Sequence, residues 1–360
     1  MTFPTFAHSV IATLRHFGHF PHFAILLAGA ASVVAALAAQ SGSSIERLRP
    51  VDALPAHICG QFREPIGFAQ TSTGQYLILD RRAHTVFSVD AKRTALTTLV
   101  RVGLDKGELL QPGVLSLSPD DTFAVSDAPN GWEQVQVFFD SGTRFAAFVR
   151  PGAAAPRLTL GPLVLNGTGS MQFTGRTVLV NTPEDGPLVS ELNLEGHVIR
   201  HIGTLRATGH EGDRQVHLAL NLGLPLRTSD GGLIFVFQTG APLFRKYAAD
   251  GRLEFERHIE GPQLDEYIGT LPDTWPARKA GDGTYPLIPP IVRTAAISPE
   301  GDLWVSLVPP FTYVFGPTGE KKRVVQFDAT EPFSPISLSF SRVSGATRIL
   351  VMPGCFFFAL

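Results

Sequence analysis

The chain has 360 residues, of which 44% are hydrophobic and 17% are charged, and this composition excludes an intrinsically disordered protein. A formal net charge of −2 gives no overall basic surface for nucleic acid. The 35 glycines and 28 prolines follow no collagen-like period, and they favour many short strands with tight turns over long helices.

An apolar run from Phe23 to Ala39 lies near the N-terminus. It is shorter than the roughly 20 residues of a spanning helix, Ala36 and Ala38 supply the small residues of a signal-peptidase site, and a polar stretch begins at Gln40. We therefore predict a signal peptide over residues 1–38, with an uncleaved anchor as the alternative. The expected location is periplasmic or secreted, with membrane contact only if this segment is retained.

Short apolar segments separated by Ser/Pro/Asp/Gly turns recur through the rest of the chain. The turns centre on Gly74, Asp121, Gly175, Gly231, Gly301 and Gly345. Most copies carry a second turn downstream, such as Asp140–Gly142, so each copy predicts a four-stranded antiparallel unit. Radial repetition buries both faces of such units. We therefore predict an all-β fold, a six-bladed β-propeller over residues 63–360.

Two segments resemble a known repeat. Pro65–Ala69 followed by Gly74–Asp80 looks like the NHL repeat, and Asp127 with Asn130 matches the Asp-x-x-Asn of that family's second turn. The resemblance is to the superfamily that NHL proteins share with TolB-like six-bladed propellers. It implies that the N-terminus supplies the outer strand of the last blade.

The C-terminal copy agrees with this implication, since it has room for only two strands after Gly345. In residues 39–62 we expect the ring-closing strand at about Ile45–Ala53. The only two cysteines, Cys59 and Cys355, would then lie on one face of the ring. An oxidising compartment predicts a disulfide between them, and two buried thiols are the alternative.

In propellers the links between blades gather on one face with the turns between second and third strands, and ligands usually bind there. The resemblance therefore predicts a set of candidate binding residues on that face. They are Arg63, Arg81, Arg82, His84, Asp127, Asn130, Trp132, Glu184, Asp185, His210, Glu211, Asp213, Arg214 and Gln238.

Three groups within this set have distinct chemistry. Arg81, Arg82 and His84 could bind a carboxylate or phosphate, or could form a solvated turn. Asp127 and Asn130 could ligate Ca²⁺, or could hydrogen-bond their own turn. His210 to Asp213 has residue types suited to Zn²⁺, with a polar loop as the alternative. No cofactor is predicted, and Ca²⁺ or Zn²⁺ is kept as an alternative.

Two further segments stand out. Glu260 to Pro290 is the longest insertion, and its mixture of aromatic and charged residues suits a lid or partner-binding loop as well as a cover for a blade edge. The final residues, Phe356 to Leu360, predict a buried strand in the ring, and a sorting signal is the alternative.

The chain has no nucleophile elbow, phosphate-binding glycine loop or zinc-protease motif. We therefore expect an exported, monomeric binding module that recognises a small anionic ligand, a glycan or a protein partner at its loop-rich face, without catalysis and without nucleic acid. The alternative is a lactonase-like, metal-dependent hydrolase or lyase at the channel mouth, so the question of enzymatic activity stays open.

Overall fold

The computed structural model describes residues 44–129, 132–150, 159–161, 163–165, 170–281, 283–343 and 345–360. The predicted signal peptide over residues 1–38 and the candidate site residue Asn130 lie outside these ranges. Within the described ranges, none of the helices is long and apolar enough to cross a membrane.

The elements are numbered along the chain. The N-terminal segment contains β1 (Ile45–Leu48), β2 (Asp52–Ala53) and the short helix α1 (Ala56–Cys59). Blade 1 contains β3 (Pro65–Gln70), β4 (Tyr76–Asp80), β5 (Thr85–Val89) and β6 (Leu96–Val100). Blade 2 contains β7 (Val114–Leu117), β8 (Phe123–Asp127), β9 (Gln134–Phe138) and β10 (Arg144–Val149), and the hairpin β11 (Thr159–Leu160) and β12 (Leu163–Val164) follows it.

The third blade contains β13 (Ser170–Phe173), β14 (Val178–Asn181), a 3₁₀ turn (Pro183–Asp185), β15 (Pro187–Leu192) and β16 (Val198–Thr204). Helix α2 (Arg214–Ala219) leads to blade 4, which contains β17 (Gly223–Arg227), β18 (Leu233–Phe237), β19 (Leu243–Tyr247) and β20 (Leu253–His258). The insertion that begins near Glu260 folds into α3 (Pro262–Ile268), β21 (Ala277–Ala280) and β22 (Gly283–Pro286).

The last two blades complete the chain. Blade 5 contains β23 (Val292–Ile297), β24 (Leu303–Leu307), β25 (Thr312–Phe315) and β26 (Lys321–Asp328), with β27 (Pro332–Phe333) paired to β26. Blade 6 contains β28 (Ser337–Val343), β29 (Ala346–Met352) and β30 (Phe356–Ala359). The prediction of a six-bladed β-propeller with four-stranded antiparallel blades is therefore confirmed.

The turn between the first and second strand of each blade is built from the predicted positions. Gly74 has φ +88°, and the residue at the same place in blade 2, Asp121, has φ +65°. Glycine adopts this left-handed conformation at little cost, which explains its use at the corresponding turns of the other five blades. After each of the turns at Gly74, Gly231 and Gly301, the following second strand is buried along its full length because neighbouring blades cover both faces.

The N-terminal segment closes the ring, as predicted, but with fewer residues. Only β2 supplies the fourth strand of blade 6, where it pairs antiparallel with β30. The expectation of one strand over Ile45–Ala53 is wrong for β1, which pairs in parallel with β26 and adds a fifth strand to blade 5. Leu48 packs on the core shared by blades 5 and 6, and Glu46 pairs with Arg323 at 2.9 Å. These side-chain contacts favour the pairing of β1 with β26 at the outer edge of blade 5.

The ends of the chain are joined beside β2. Cys59 and Cys355 form the predicted disulfide, with a Cα–Cα distance of 6.4 Å. Phe357 and Phe358 in β30 are fully buried, which confirms the expectation of a buried C-terminal strand. A disulfide is consistent with an oxidising, extracellular compartment.

Candidate functional site

The first strands of the six blades surround a central channel of about 1000 Å³. We call the end of the channel with the inter-blade links and the turns between second and third strands the upper face. The opposite end, with the turns between first and second strands, is the lower face. The charged residues that line the described channel are Arg81, Arg227, Arg293, Arg342 and Asp121. Four arginines and one aspartate therefore line the channel.

Arg293 lies near the upper end of β23, at a β-bulge between Val292 and Thr294. The Gln238 side-chain amide fixes this backbone by donating to the carbonyl oxygens of Val292 (3.4 Å) and Arg293 (3.2 Å). The Nε of Arg293 is buried without a hydrogen-bond partner, and among the described residues no carboxylate forms an ion pair with its guanidinium. Burial raises the pKa of the nearby Tyr267 hydroxyl, and the charge of Arg293 opposes that rise.

Arg81 also lines the channel, from the turn after β4. Its guanidinium pairs with Glu64 and donates to the carbonyl oxygen of Gly161 at 3.0 Å. The adjacent Arg82 is exposed, and the His84 Nδ1 accepts a hydrogen bond from the backbone N–H of Gln111 at 3.2 Å. The three side chains of this sequence motif therefore point to different places, and only Arg81 reaches the channel.

The other two arginines that line the channel, Arg227 and Arg342, lie near carboxylates at the lower face. Arg227 donates to the carbonyl of Gly231 at 2.9 Å and pairs with Glu191, which also accepts from Arg200 at 2.6 Å. Burial acts to raise the pKa of Glu191, but hydrogen bonds and these guanidinium groups hold it below its ordinary value. Arg342 has a side chain that is 63% exposed, and it lies 3.9 Å from Glu300.

The Asp127 carboxylate holds the link before blade 2 against the strands of that blade. Its carboxylate accepts from the backbone N–H of Leu110 (3.2 Å) and from the amide of Gln134 (3.3 Å), and it is fully buried. Asp80 has the corresponding position in blade 1, where it accepts from the N–H of Arg63 at 2.6 Å. These carboxylates tie the inter-blade links to the blades, and the Arg63 side chain itself is exposed.

Asp185 and Glu184 belong to a partly buried ion cluster that sequence reasoning missed. Arg150, only 4% exposed, lies 2.9 Å from Glu184 and 3.1 Å from Asp185. It also lies 3.8 Å from Glu133, which is 1% exposed. Burial raises the pKa of Glu184, and the Arg150 guanidinium opposes that rise. Glu133 precedes β9 and Arg150 follows β10, so both lie at the open end of this antiparallel hairpin, and this pairing is the signal that could have identified them. Trp132, the residue before Glu133, is 52% exposed.

The segment from His210 to Arg214 forms a self-contained loop beside blade 3. Glu211 accepts from the backbone N–H groups of Thr208 and Gly209, and these bonds lower its pKa to about 2. Asp213 caps α2 by accepting from the N–H groups of Gln215 and Val216.

The two other candidate residues of this segment, His210 and Arg214, contact neighbouring loops. His210 packs its ring 5.5 Å from that of Trp275, and Arg214 donates to the carbonyl of Glu184 at 3.3 Å. None of the four predicted residues in this segment lines the channel. In the part of the chain that the structure describes, no group of three His, Cys, Asp or Glu side chains is arranged to hold a metal ion.

Two hairpins and α2 cover the upper face. The β11–β12 hairpin packs Leu160, Leu163 and Leu165 against Tyr285 and Leu287 of the β21–β22 hairpin. Trp275 and Ile288 of the same insertion pack against α2. At its other side the β11–β12 turn reaches Arg81 through Gly161. Helix α3 of the insertion buries Leu264 in the core shared by blades 4 and 5, so the insertion both covers these blades and packs against other upper-face loops.

Comparisons with known proteins add no functional argument. No family model matches the chain, and no curated protein matches it. Among solved structures, virginiamycin B lyase from Staphylococcus aureus is similar with a TM-score of 0.47 and 10% identity, covering 82% of this chain and 83% of that chain.

Two further solved structures are similar to the same degree. Hydrazine synthase from Kuenenia stuttgartiensis has a TM-score of 0.48 and 13% identity, covering 87% of this chain and 77% of that chain. A protein of unknown function from Bacteroides thetaiotaomicron has a TM-score of 0.48 and 12% identity, covering 83% and 70%. The class that the geometry defines is a six-bladed β-propeller with an arginine-containing channel.

Proposed function

We propose that this chain is an exported, NHL/TolB-like propeller that binds a small anionic ligand in its central channel. The supporting observation is Arg293, which is one of the residues that line the channel and whose guanidinium forms no ion pair with a carboxylate of the described residues. Partial burial of an unpaired charge costs free energy, and an anionic ligand would offset this cost. Arg81 supplies a second guanidinium group at the same end of the channel.

The proposal places the ligand deeper than the turn residues of the loop-rich face. Of the predicted candidate residues that the structure describes, Arg81 and Gln238 alone line the channel. Guanidinium groups bind carboxylate and phosphate in bidentate geometry, whereas an ammonium group acts as a point charge. Arg293→Gln should therefore weaken binding, and Arg293→Lys should weaken it less.

Isothermal titration calorimetry with acetate, succinate and inorganic phosphate tests the proposal at low ionic strength, where charge interactions are least screened. We expect a one-to-one complex with at least one of these anions, weakened about tenfold or more by Arg293→Gln, which corresponds to the roughly 1.4 kcal/mol expected from a charged hydrogen bond. Arg82→Gln is the matched control, because Arg82 is an exposed neighbour of Arg81 that does not line the channel. The proposal fails if none of the three anions binds, or if Arg293→Gln binds the anion as tightly as Arg82→Gln does.

A metal-dependent hydrolase or lyase is the second candidate. The observation that favours it is Glu184, a carboxyl at the upper face whose pKa is raised by burial, as general acids require. Elemental analysis of the purified protein tests this candidate. A stoichiometric Ca²⁺ or Zn²⁺ that is retained through dialysis would support it.

A further inference from the structure

The walls of the channel carry both apolar and polar side chains between its two ends. The half-buried apolar residues that line them are Ile66, Leu115, Leu224, Leu226, Ile297, Ile336 and Phe340. Several polar side chains of the first strands bind the neighbouring blade instead. The Ser116 hydroxyl accepts from the N–H of Phe173 at 2.9 Å, and Ser339 donates to the carbonyl of Phe68 at 2.7 Å. A ligand in the channel therefore meets apolar side chains along the wall and guanidinium groups near the upper end.

At the upper end of the channel the described lining residues are mostly buried under the loops that pack over them. Gln238 and Ser170, which line this end, are 4% and 5% exposed. The Arg81 side chain is 21% exposed, because Glu64 and the turn of the β11–β12 hairpin cover it. The predicted channel mouth at the loop-rich face is therefore covered by the protein's own hairpins.

The lower end is open. The turns of blades 1 to 5 that surround it are short, and each is closed by its own hydrogen bonds, such as Thr228 N–H to the carbonyl of Gly232 at 3.1 Å. Ser229 and Pro299 line this end and are exposed, and the Arg342 side chain is 63% exposed. A ligand that reaches Arg293 would therefore pass through the lower face.

We propose that the ligand is an amphiphilic anion that enters through the lower face, with its anionic group at Arg293 and its apolar part along the channel wall. This inference rests on the proposed function. A first strand of six residues, such as β3, spans roughly 20 Å, which is sufficient for an extended alkyl chain. Burial of one methylene group strengthens binding about three- to fourfold.

The apolar requirement is tested by calorimetry with octanoate, acetate and octan-1-ol. We expect octanoate to bind at least about 100-fold more tightly than acetate, since it adds six methylene groups, each worth up to about fourfold when buried. Octan-1-ol should bind about tenfold more weakly than octanoate, because it lacks the charge that pairs with Arg293. Arg293→Gln should remove that difference.

The outcomes separate this inference from the proposed function. If acetate or phosphate binds in an Arg293-dependent manner and octanoate binds no more tightly than acetate, the amphiphile is excluded while anion binding stands. If octan-1-ol binds as tightly as octanoate in the wild-type protein, the anionic group has no role and both proposals fail. If no anion binds, both also fail.

The route is tested with 1-anilinonaphthalene-8-sulfonate, a fluorescent amphiphilic anion that octanoate should displace. Ser229→Trp narrows the lower end and should slow its association about tenfold or more, whereas Arg82→Trp at the upper face should leave the rate unchanged. Equal thermal melting temperatures for the two variants and the wild-type protein show that all three are folded. If Ser229→Trp is not folded, Pro299→Trp replaces it. Slower association in Arg82→Trp alone would overturn the proposed route.

Discussion

The disulfide between Cys59 and Cys355 connects residues 296 positions apart and holds the N-terminal helix α1 against the turn before the last strand. Cys355 is fully buried in a cluster with Leu54 and Ile58. The bond therefore reinforces a ring closure for which β2 supplies only a two-residue strand.

Removal of this bond with the double variant Cys59→Ala/Cys355→Ala should lower the free energy of unfolding by up to about 5–6 kcal/mol, the chain-entropy value for a loop of this length. Urea denaturation of both proteins at pH 7 measures the difference. Mass spectrometry under non-reducing conditions provides the control, since the wild-type protein should contain no thiol that reacts with iodoacetamide. A wild-type protein with two reactive thiols would contradict the prediction.

Asp80 lies at a position where loss of one carboxylate affects several backbone groups. It accepts from the N–H groups of Arg63, Glu64 and Ala83 and is fully buried. Asp80→Ala leaves these donors without their acceptor, and we expect it to cost about 2–4 kcal/mol of stability. Asp250→Ala is the matched control, because Asp250 accepts only from the N–H of Arg252 in an exposed turn, and it should cost about 1 kcal/mol or less. Equal midpoints in urea for the two variants would contradict this role of Asp80.

The blades could be predicted from the sequence because their signals are local. A glycine or aspartate turn between two apolar segments encodes a hairpin without reference to the rest of the chain, as at Gly74 and Gly301. The ring-closing strand could be predicted because blade 6 lacks a fourth strand of its own. By contrast, the parallel pairing of β1 with β26 depends on an edge nearly 280 residues away, to which no local pattern refers.

The site was less predictable for the same reason. Arg81, Arg82 and His84 are adjacent in sequence, but the turn sends them to the channel, to solvent and to the next blade. Arg293 was missed because it lies in a first strand, and its position depends on a bulge that the apolar pattern does not reveal. Coverage of the upper face depends on contacts between insertions of different blades, which the sequence does not encode locally.

Glu191 should make stability depend on pH in the acidic range. Its pKa in the folded protein lies below the ordinary value of 4.5, despite burial that acts to raise it, because Thr177, Arg200 and Arg227 bind the ionised form. The ionised carboxylate therefore stabilises the fold above the unfolded pKa, and this contribution is lost as pH falls through the lower, folded pKa. Glu191→Gln should cost about 3 kcal/mol at pH 7, since it leaves two guanidinium groups without their partner.

Thermal melting at pH 7 and at pH 3 measures this dependence. The difference in melting temperature between wild type and Glu191→Gln should be large at pH 7 and smaller at pH 3, because the contribution of the ionised carboxylate declines as the pH falls from the unfolded pKa towards the lower, folded pKa. Glu195→Gln, at an exposed turn, controls for the change in net charge. A difference between wild type and Glu191→Gln that is unchanged between the two pH values would contradict the role of Glu191.

Ser339 and Ser341 lie on the same strand, β28, and both line the channel, but their hydroxyl groups differ in hydrogen bonding. Ser339 donates to the carbonyl of Phe68 in blade 1 at 2.7 Å, whereas the Ser341 Oγ is buried without a partner among the described residues. Ser339→Ala should therefore cost about 1–2 kcal/mol, because a bond between the last and first blades is lost and the carbonyl remains.

Ser341→Ala removes an unsatisfied buried hydroxyl, so it should be neutral or stabilise the protein by up to about 1 kcal/mol. Each variant therefore serves as the control for the other, since both shorten the same side chain in the same strand. Urea denaturation of the two variants and the wild-type protein measures the three free energies of unfolding. An equal loss of stability in both variants would show that the bond between Ser339 and Phe68 does not help to join the first and last blades.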